Sequence, residues 1–372
     1  MHWLMFAAVV VLSGCDNFFV PEKGTGGAGS TTVGGSGANY AYVLNTASGS
    51  VSGFLIGTGT ITPTLNSPYP LGFLPQGAVV TRANNFLYVS GAGAIYAFPI
   101  KSDGSLSTSA QAAAVAIGSE LALAVSPDGQ WLFGLNSQSS TLDEWKIDKA
   151  SGVITAMPSA AYTVTDAVSL PLMLRVSPTA NYVFAALGTG GDQVFTLDTS
   201  TGAVASTQHL SLGSPQTSDN SLVVDSTGTK LYIARSGVNG GVAVYTIGAA
   251  GQLVQIPGSP FASGLGTFDV TLDSTGKYVY AANRTDGTIS GYSVGTGGSL
   301  AALNGSPYIS GKVVSSLIAD RSGKYLIAAA AGGSPDVTLY GFDPTIPGKL
   351  NILMTAVSGS DPAGSTLVAP VH

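Results

Sequence analysis

The sequence predicts an all-β fold, a seven-bladed β-propeller of four-stranded antiparallel blades, and three observations carry that prediction. A β-rich string ending in small residues occurs seven times: YAYVLN from Tyr40, FLYVS from Phe86, WLFGLN from Trp131, YVFAAL from Tyr182, KLYIAR from Lys230, YVYAAN from Tyr278 and YLIAAA from Tyr325. Its central residues, Tyr42, Tyr88, Phe133, Phe184, Tyr232, Tyr280 and Ile327, recur every 45 to 51 residues, the period of one propeller blade. No segment sustains apolar residues at i, i+3, i+4 and i+7, so helical solenoids are excluded.

Each element of a blade has its own signal. An apolar inner strand precedes the repeated string, and a tight turn joins the two, as in Leu121 to Gly129 (LALAVSPDG), Leu222 to Gly228 (LVVDSTG), Val270 to Gly276 (VTLDSTG) and Leu317 to Gly323 (LIADRSG). Asp, Ser, Pro and Gly at those offsets favour a turn between antiparallel strands. A third strand follows, such as Thr288 to Val294 (TISGYSV), then a glycine turn and a short fourth strand, such as Ser299 to Leu303. In the inner strands, Val80, Val125, Val176, Val224, Leu272, Ala319 and Val368 form one apolar column. A second runs through Ala78, Leu123, Leu174, Leu222, Val270 and Leu317. A strand apolar on both faces must be covered on both, so each blade needs two neighbours. The string at Tyr40 has no inner strand before it, whereas Ser365 to Pro370 reads as an inner strand with no blade after it. The carboxyl-terminal strand should therefore complete blade one and close the ring, removing free sheet edges.

Composition agrees with such a ring. Of 372 residues, 50 are glycine and 45% are hydrophobic, while only 9% are charged against roughly 25% in ordinary domains. The apolar content excludes disorder, and the absence of a three-residue glycine period excludes collagen. With 14 Lys and Arg against 20 Asp and Glu, the chain has no cation cluster for nucleic acid.

The first 38 residues read differently. Leu4 to Leu12 is an apolar run too short to span a bilayer, and it is followed by Ser13-Gly14-Cys15. Leu12-Ser13-Gly14-Cys15 resembles the bacterial lipobox, whose cysteine is acylated. The expected organisation is a signal peptide over 1–14, a lipidated Cys15 with a Gly/Ser/Thr-rich tether over 15–38, and the propeller over 39–372. Cys15 is the sole cysteine, so no intramolecular disulfide can form. These features imply a monomeric propeller anchored to a membrane of the bacterial cell envelope, on its periplasmic or cell-surface side.

The motifs Ser126-Pro-Asp-Gly129, Asp225-Ser-Thr-Gly228 and Asp273-Ser-Thr-Gly276, together with the blade-end strings PGSPF from Pro257 and NGSPY from Asn304, are carried over about residues 39 to 372. In these the chain resembles the seven-bladed propellers of the lactonase-like and YVTN repeat family, which includes phosphogluconolactonase-like proteins and a carboxymuconate cyclase. That resemblance implies a seven-bladed ring and, for its catalytic members, His, Arg and Glu on the face where the inner strands begin. A Pro-His step often precedes the inner strand in such members, but here the corresponding places read Pro75-Gln76-Gly77, Gly118-Ser119-Glu120 and Gly266-Thr267-Phe268-Asp269. The three histidines are His2, His209 in the outer strand of blade four, and His372.

Loops on a rigid scaffold carry function, and that face collects Glu120, Asp192, Asp219, Asn220, Arg235, Asp269, Asn283 and Arg284. Arg235 and Arg284 occupy equivalent positions in adjacent blades, near Asp219 and Asp269. Together they could bind a carboxylate or sugar acid, or they could brace the loops as ion pairs. The catalytic candidates are thus Arg235, Arg284, Asp219, Asp269 and Glu120, and the ligand-binding candidates are Arg175, Asn220 and Asn283. Arg175 stands in the inner strand of blade four, where a charge must pair or face the channel. A ring of Glu120, Asp219, Asn220 and Asp269 would suit a hard cation, but no metal-spaced motif exists, and neither metal nor cofactor is expected. Without the histidines, the residues read as a non-catalytic module that binds a ligand or a protein. The alternative is a lactone hydrolase or cycloisomerase acting on a sugar-acid lactone.

Overall fold

The computed structural model describes residues 39–107, 114–162, 172–214, 216–320, 322–359 and 366–370. Cys15, the signal-like segment, the tether, Ser365 and His372 lie outside the described residues. Seven antiparallel sheets account for the strands, and no α-helix occurs among the described residues. In blade order the inner strands are Thr366–Pro370, Pro75–Val80, Glu120–Val125, Met173–Val176, Thr217–Val224, Thr267–Leu272 and Val313–Ala319. Each touches the next, and the last touches the first, which closes the ring. Closure is made by the two ends of the chain, as expected: Thr366–Pro370 pairs antiparallel with Tyr40–Asn45, with Val43 opposite Val368.

The seams between blades are the core. Leu222 and Val224 pack with Met173 and Phe184 of blade four, while Val223 between them packs with Val270 and Leu272 of blade six. Alternate residues of one strand therefore serve opposite seams, which is why both inner-strand columns had to be apolar. The repeated tyrosine adds a directional tie. Tyr42, Tyr88 and Tyr280 are buried, and their hydroxyls donate to the carbonyls of Gly104, Gly152 and Gly348 in the following blade at 2.7, 2.8 and 2.6 Å. Two residues earlier, the ring of Tyr40, Phe86 or Tyr278 packs against that same glycine, where a Cβ would sit 2.3, 2.6 or 2.5 Å from it. These glycines mark the places where one blade's turn packs under its neighbour's aromatic.

The turn aspartates act as local caps. Asp225 accepts from the amides of Thr229 and Lys230 at 2.7 and 2.8 Å, and Asp273 and Asp320 accept from Tyr278 and Tyr325 at 2.8 and 2.6 Å. In the blade-end strings, Ser67, Ser259 and Ser306 precede cis prolines. Their hydroxyls accept from the amides of Gly53, Val244 and Gly291 at 3.0, 2.8 and 2.9 Å. The side chain takes over as acceptor where the outer strand is interrupted. After such breaks, Tyr69–Pro70 and Tyr308–Ile309 rejoin the third strands of blades one and six, and Ala160–Ala161 rejoins that of blade three. These three sheets therefore carry a fifth, two-residue segment beyond the four strands expected.

Candidate functional site

On the face where inner strands begin, the seams end in polar caps built on one repeated position, the last residues of the second strand. Asn45 donates to Ser50 and Ser52 at 3.0 and 2.9 Å, and Asn283 donates to Thr288 and Ser290 at 3.0 and 2.9 Å. Asn283 also accepts from Ser263 and Gly264, so its amide is fully used in holding loops. In blade three Asn136 stands between two acids, donating to Glu120 at 3.3 Å and to Asp143 at 3.2 Å. Burial, reinforced by the nearby Asp143 charge, pushes the Glu120 carboxyl up to about 7.

Blade five replaces this amide with a cation. Asp219 lies opposite Arg235 on the neighbouring strand, at a register shift in the pairing. The guanidinium grips the carboxylate through two bonds, Nε to Oδ1 and Nη2 to Oδ2, each 2.6 Å, and also donates to the Tyr245 hydroxyl at 3.2 Å. Asp219 is wholly buried, and Arg235 nearly so. Burial alone would lower the arginine's pKa, but the Asp219 charge and hydrogen bonds outweigh it and raise it.

A second acid completes the cluster. Gly188 of blade four and Asp219 exchange both backbone hydrogen bonds at 3.1 Å, which stitches the blade-four loop to blade five and sets Asp192 against Asp219. Asp192 is 1% exposed, and neither of its carboxyl oxygens receives a donor. Burial first, and then the negative charge of Asp219, push its pKa well above the usual carboxylate range, with Arg235 opposing only in part. Asp192 thus stands as a strongly raised acid beside the Asp219–Arg235 pair, the direction that adjoining carboxyls take when they share a single cation.

Arg235 and Tyr245 present this cluster to a cleft of about 530 Å³ at the seam of blades four and five. Its walls come from the outer strand of blade four and the segment after it, through Leu210, Leu212 and Ser214, and from Asn239 and Gln255 of blade five. The arrangement joins a fixed guanidinium and a phenol to a half-apolar cavity, which suits a small uncharged ring with one polarisable carbonyl.

The other candidates lie elsewhere. Asp269 accepts from the Ser221 hydroxyl and from the amides of Val270 and Leu317, the latter two at 2.8 and 2.7 Å, so it braces the inner strands of blades five, six and seven. Arg284 does not face it as an ion pair would; its guanidinium lies 4.5 Å above the Phe268 ring, and burial lowers its pKa. The two arginines expected to converge are thus separated, because each is captured within its own seam. Asn220 donates to Ser236 and to the Thr267 carbonyl, both at 2.9 Å, which ties blade five to blade six. Arg175 is buried, donates to the Leu174 carbonyl at 3.3 Å and attracts Asp269 electrostatically. His209 meets the Gly190 carbonyl at 2.8 Å, as a rim residue would. Among the described residues no group of three or more His, Cys, Asp or Glu could hold a metal ion.

The residues the sequence reading passed over are Tyr245 and, as a partner for Asp219, Asp192. Tyr245 read as an ordinary third-strand aromatic. Asp192 had a usable signal, an acid opening a buried strand (DQVFTL) in a chain almost without charges.

Comparison with known proteins follows this architecture. A candidate 6-phosphogluconolactonase of Bacteroides uniformis is 19% identical with a TM-score of 0.70, covering 90% of this chain and 99% of its own. Another from Bacteroides fragilis is 18% identical with a TM-score of 0.69, covering 92% and 100%. The periplasmic gluconolactonase PpgL of Pseudomonas aeruginosa is 18% identical with a TM-score of 0.54, covering 70% and 78%. At such identities the likeness shows the fold. No curated protein matches the chain. The family described as lactonase, 7-bladed β-propeller matches residues 173–364, half of the chain and the part that holds the blade-four and blade-five cluster, and the chain belongs to that lactonase family of seven-bladed β-propellers.

Proposed function

We propose that the protein hydrolyses the lactone of a sugar acid in the cleft between blades four and five. Family membership favours this reading over the non-catalytic module that the missing histidines suggested. The observation that carries it is the Asp192–Asp219–Arg235–Tyr245 cluster, a guanidinium locked in place at the wall of a cavity of the right size. In lactone hydrolysis a water oxygen bonds to the carbonyl carbon and gives up a proton to solvent, the acyl carbon to ring-oxygen bond breaks, the ring oxygen takes up a proton from solvent, and the carboxylic acid formed releases one at neutral pH. Negative charge develops on the carbonyl oxygen, and Arg235 and Tyr245 are the donors that meet it. Asp219 positions the guanidinium.

Removing one donor of this kind costs about 10²- to 10³-fold in kcat. The test is proton release at constant pH from a panel of small lactones. Arg284→Gln, which does not line the cleft, should retain the wild-type rate. The absence of turnover above buffer for every lactone would end the proposal. For localisation we propose lipid anchoring through Cys15 at the cell envelope, tested by metabolic labelling with a fatty acid and loss of the label in Cys15→Ala.

A further inference from the structure

The cleft's walls decide between two forms of the substrate proposed above, and this inference rests on that reading. We infer that the cleft takes an uncharged polyhydroxylated lactone and discriminates against its phosphorylated counterpart. Arg235 is the sole charged side chain among the described residues that line it. Its charge is balanced by Asp219, which holds two of its nitrogens in a paired fork, so it keeps a donor for a carbonyl oxygen but brings no net cation to a dianion. A phosphate monoester carries nearly two negative charges and is bound by uncompensated cations or by a helix N-terminus. The site has neither. No Lys or Arg occurs in the sequence between Arg175 and Lys230, the whole stretch that supplies the blade-four wall and the connecting segment of the cleft.

The remaining lining chemistry fits a neutral polyol. Ser211, Ser214 and Asn239 offer hydroxyl and amide groups, while Leu210, Leu212 and Val238 offer apolar surface. Sugars present this same mixture of hydroxyl rims and C–H faces. A dianion brought here would leave its water without an equivalent cation and would face the net negative charge of the chain, −6.

The experiment compares kcat/KM of the full chain for glucono-1,5-lactone and 6-phosphoglucono-1,5-lactone, each corrected for its spontaneous opening. The expected result is at least a tenfold preference for the uncharged lactone, with the difference in KM. Val238→Lys, which places a cation at an exposed position on the wall, should narrow the preference by lowering KM for the phosphorylated lactone. Equal or faster turnover of the phosphorylated lactone by the wild type would overturn this inference and leave the hydrolase reading intact. Turnover of neither would remove the hydrolase reading, and this inference with it.

Discussion

Replacing Gly152 by alanine tests whether the glycines are fixed by blade-to-blade contact or merely by turn geometry. Gly152 has φ +73°, and a Cβ there would fall 2.6 Å from the Phe86 ring of the preceding blade. Phe86 is buried among Tyr88, Leu132 and Trp145, so the ring has no free direction in which to move. The left-handed backbone costs an L-residue about 1–2 kcal/mol, and forcing a methyl into a packed seam costs about 1–3 kcal/mol more. Displacement also strains the Tyr88 hydroxyl bond to the Gly152 carbonyl. Gly276 supplies the control, with φ +67° and no atom within 4 Å of its Cβ position. Gly276→Ala should lose only the backbone contribution. Urea titration followed by tryptophan fluorescence, backed by thermal midpoints, reads the difference. Gly152→Ala should be destabilised by about 2–5 kcal/mol, and Gly276→Ala by about 1–2 kcal/mol. Equal losses would refute the claim that the aromatic contact selects glycine.

Three further outcomes are expected. Tyr280→Phe removes the hydroxyl that meets the Gly348 carbonyl at 2.6 Å and should cost about 1–2 kcal/mol in a urea titration, since it leaves a buried acceptor without its donor. Asp269→Ala strands the Ser221 hydroxyl and the Leu317 and Val270 amides, and should lower stability by about 3 kcal/mol or more; a neutral result would show that the three inner strands do not depend on it. Glu144 is 1% exposed, neither of its carboxyl oxygens has a partner, and burial raises its pKa to about 7. A raised carboxyl stabilises the fold fully below its unfolded value of 4.5, and that contribution is lost as pH rises through 7. Glu144→Gln should therefore leave the thermal midpoint nearly unchanged at pH 4 and raise it at pH 8; equal shifts at both would contradict the assignment.

How much of this the sequence could disclose follows from the physics of each feature. Blade number, strand order and ring closure rest on periodic burial, which every blade repeats, so Tyr42 through Ile327 mark them openly. The fifth segments after Ser67 and Ser306 were less legible, because a two-residue pairing leaves no periodicity. The cluster at Arg235 was half legible. Its pairing with Asp219 follows from their places on adjacent strands, and an ion pair was one of the two readings open for it. Arg284 has an equivalent place and an acid nearby, yet it stacks on Phe268, while Asp269 turns toward Ser221 and Leu317. Which of two nearby groups a charged side chain chooses depends on rotamers and on small register shifts, such as the one between Thr267 and Asp269. A repeat pattern does not encode those. Asp192 reaches Asp219 only through the Gly188 stitch between blades, a contact between loops of unrelated sequence.

The central claim is that a guanidinium fixed at the seam of blades four and five carries lactone hydrolysis. Its most direct test is kcat/KM for glucono-1,5-lactone, measured side by side for the wild type, Arg235→Gln and Arg284→Gln, each first shown to be folded by its thermal midpoint. The account predicts a loss of about 10²-fold or more for Arg235→Gln and none for Arg284→Gln; a folded Arg235→Gln protein that hydrolyses the lactone at the wild-type rate would contradict it.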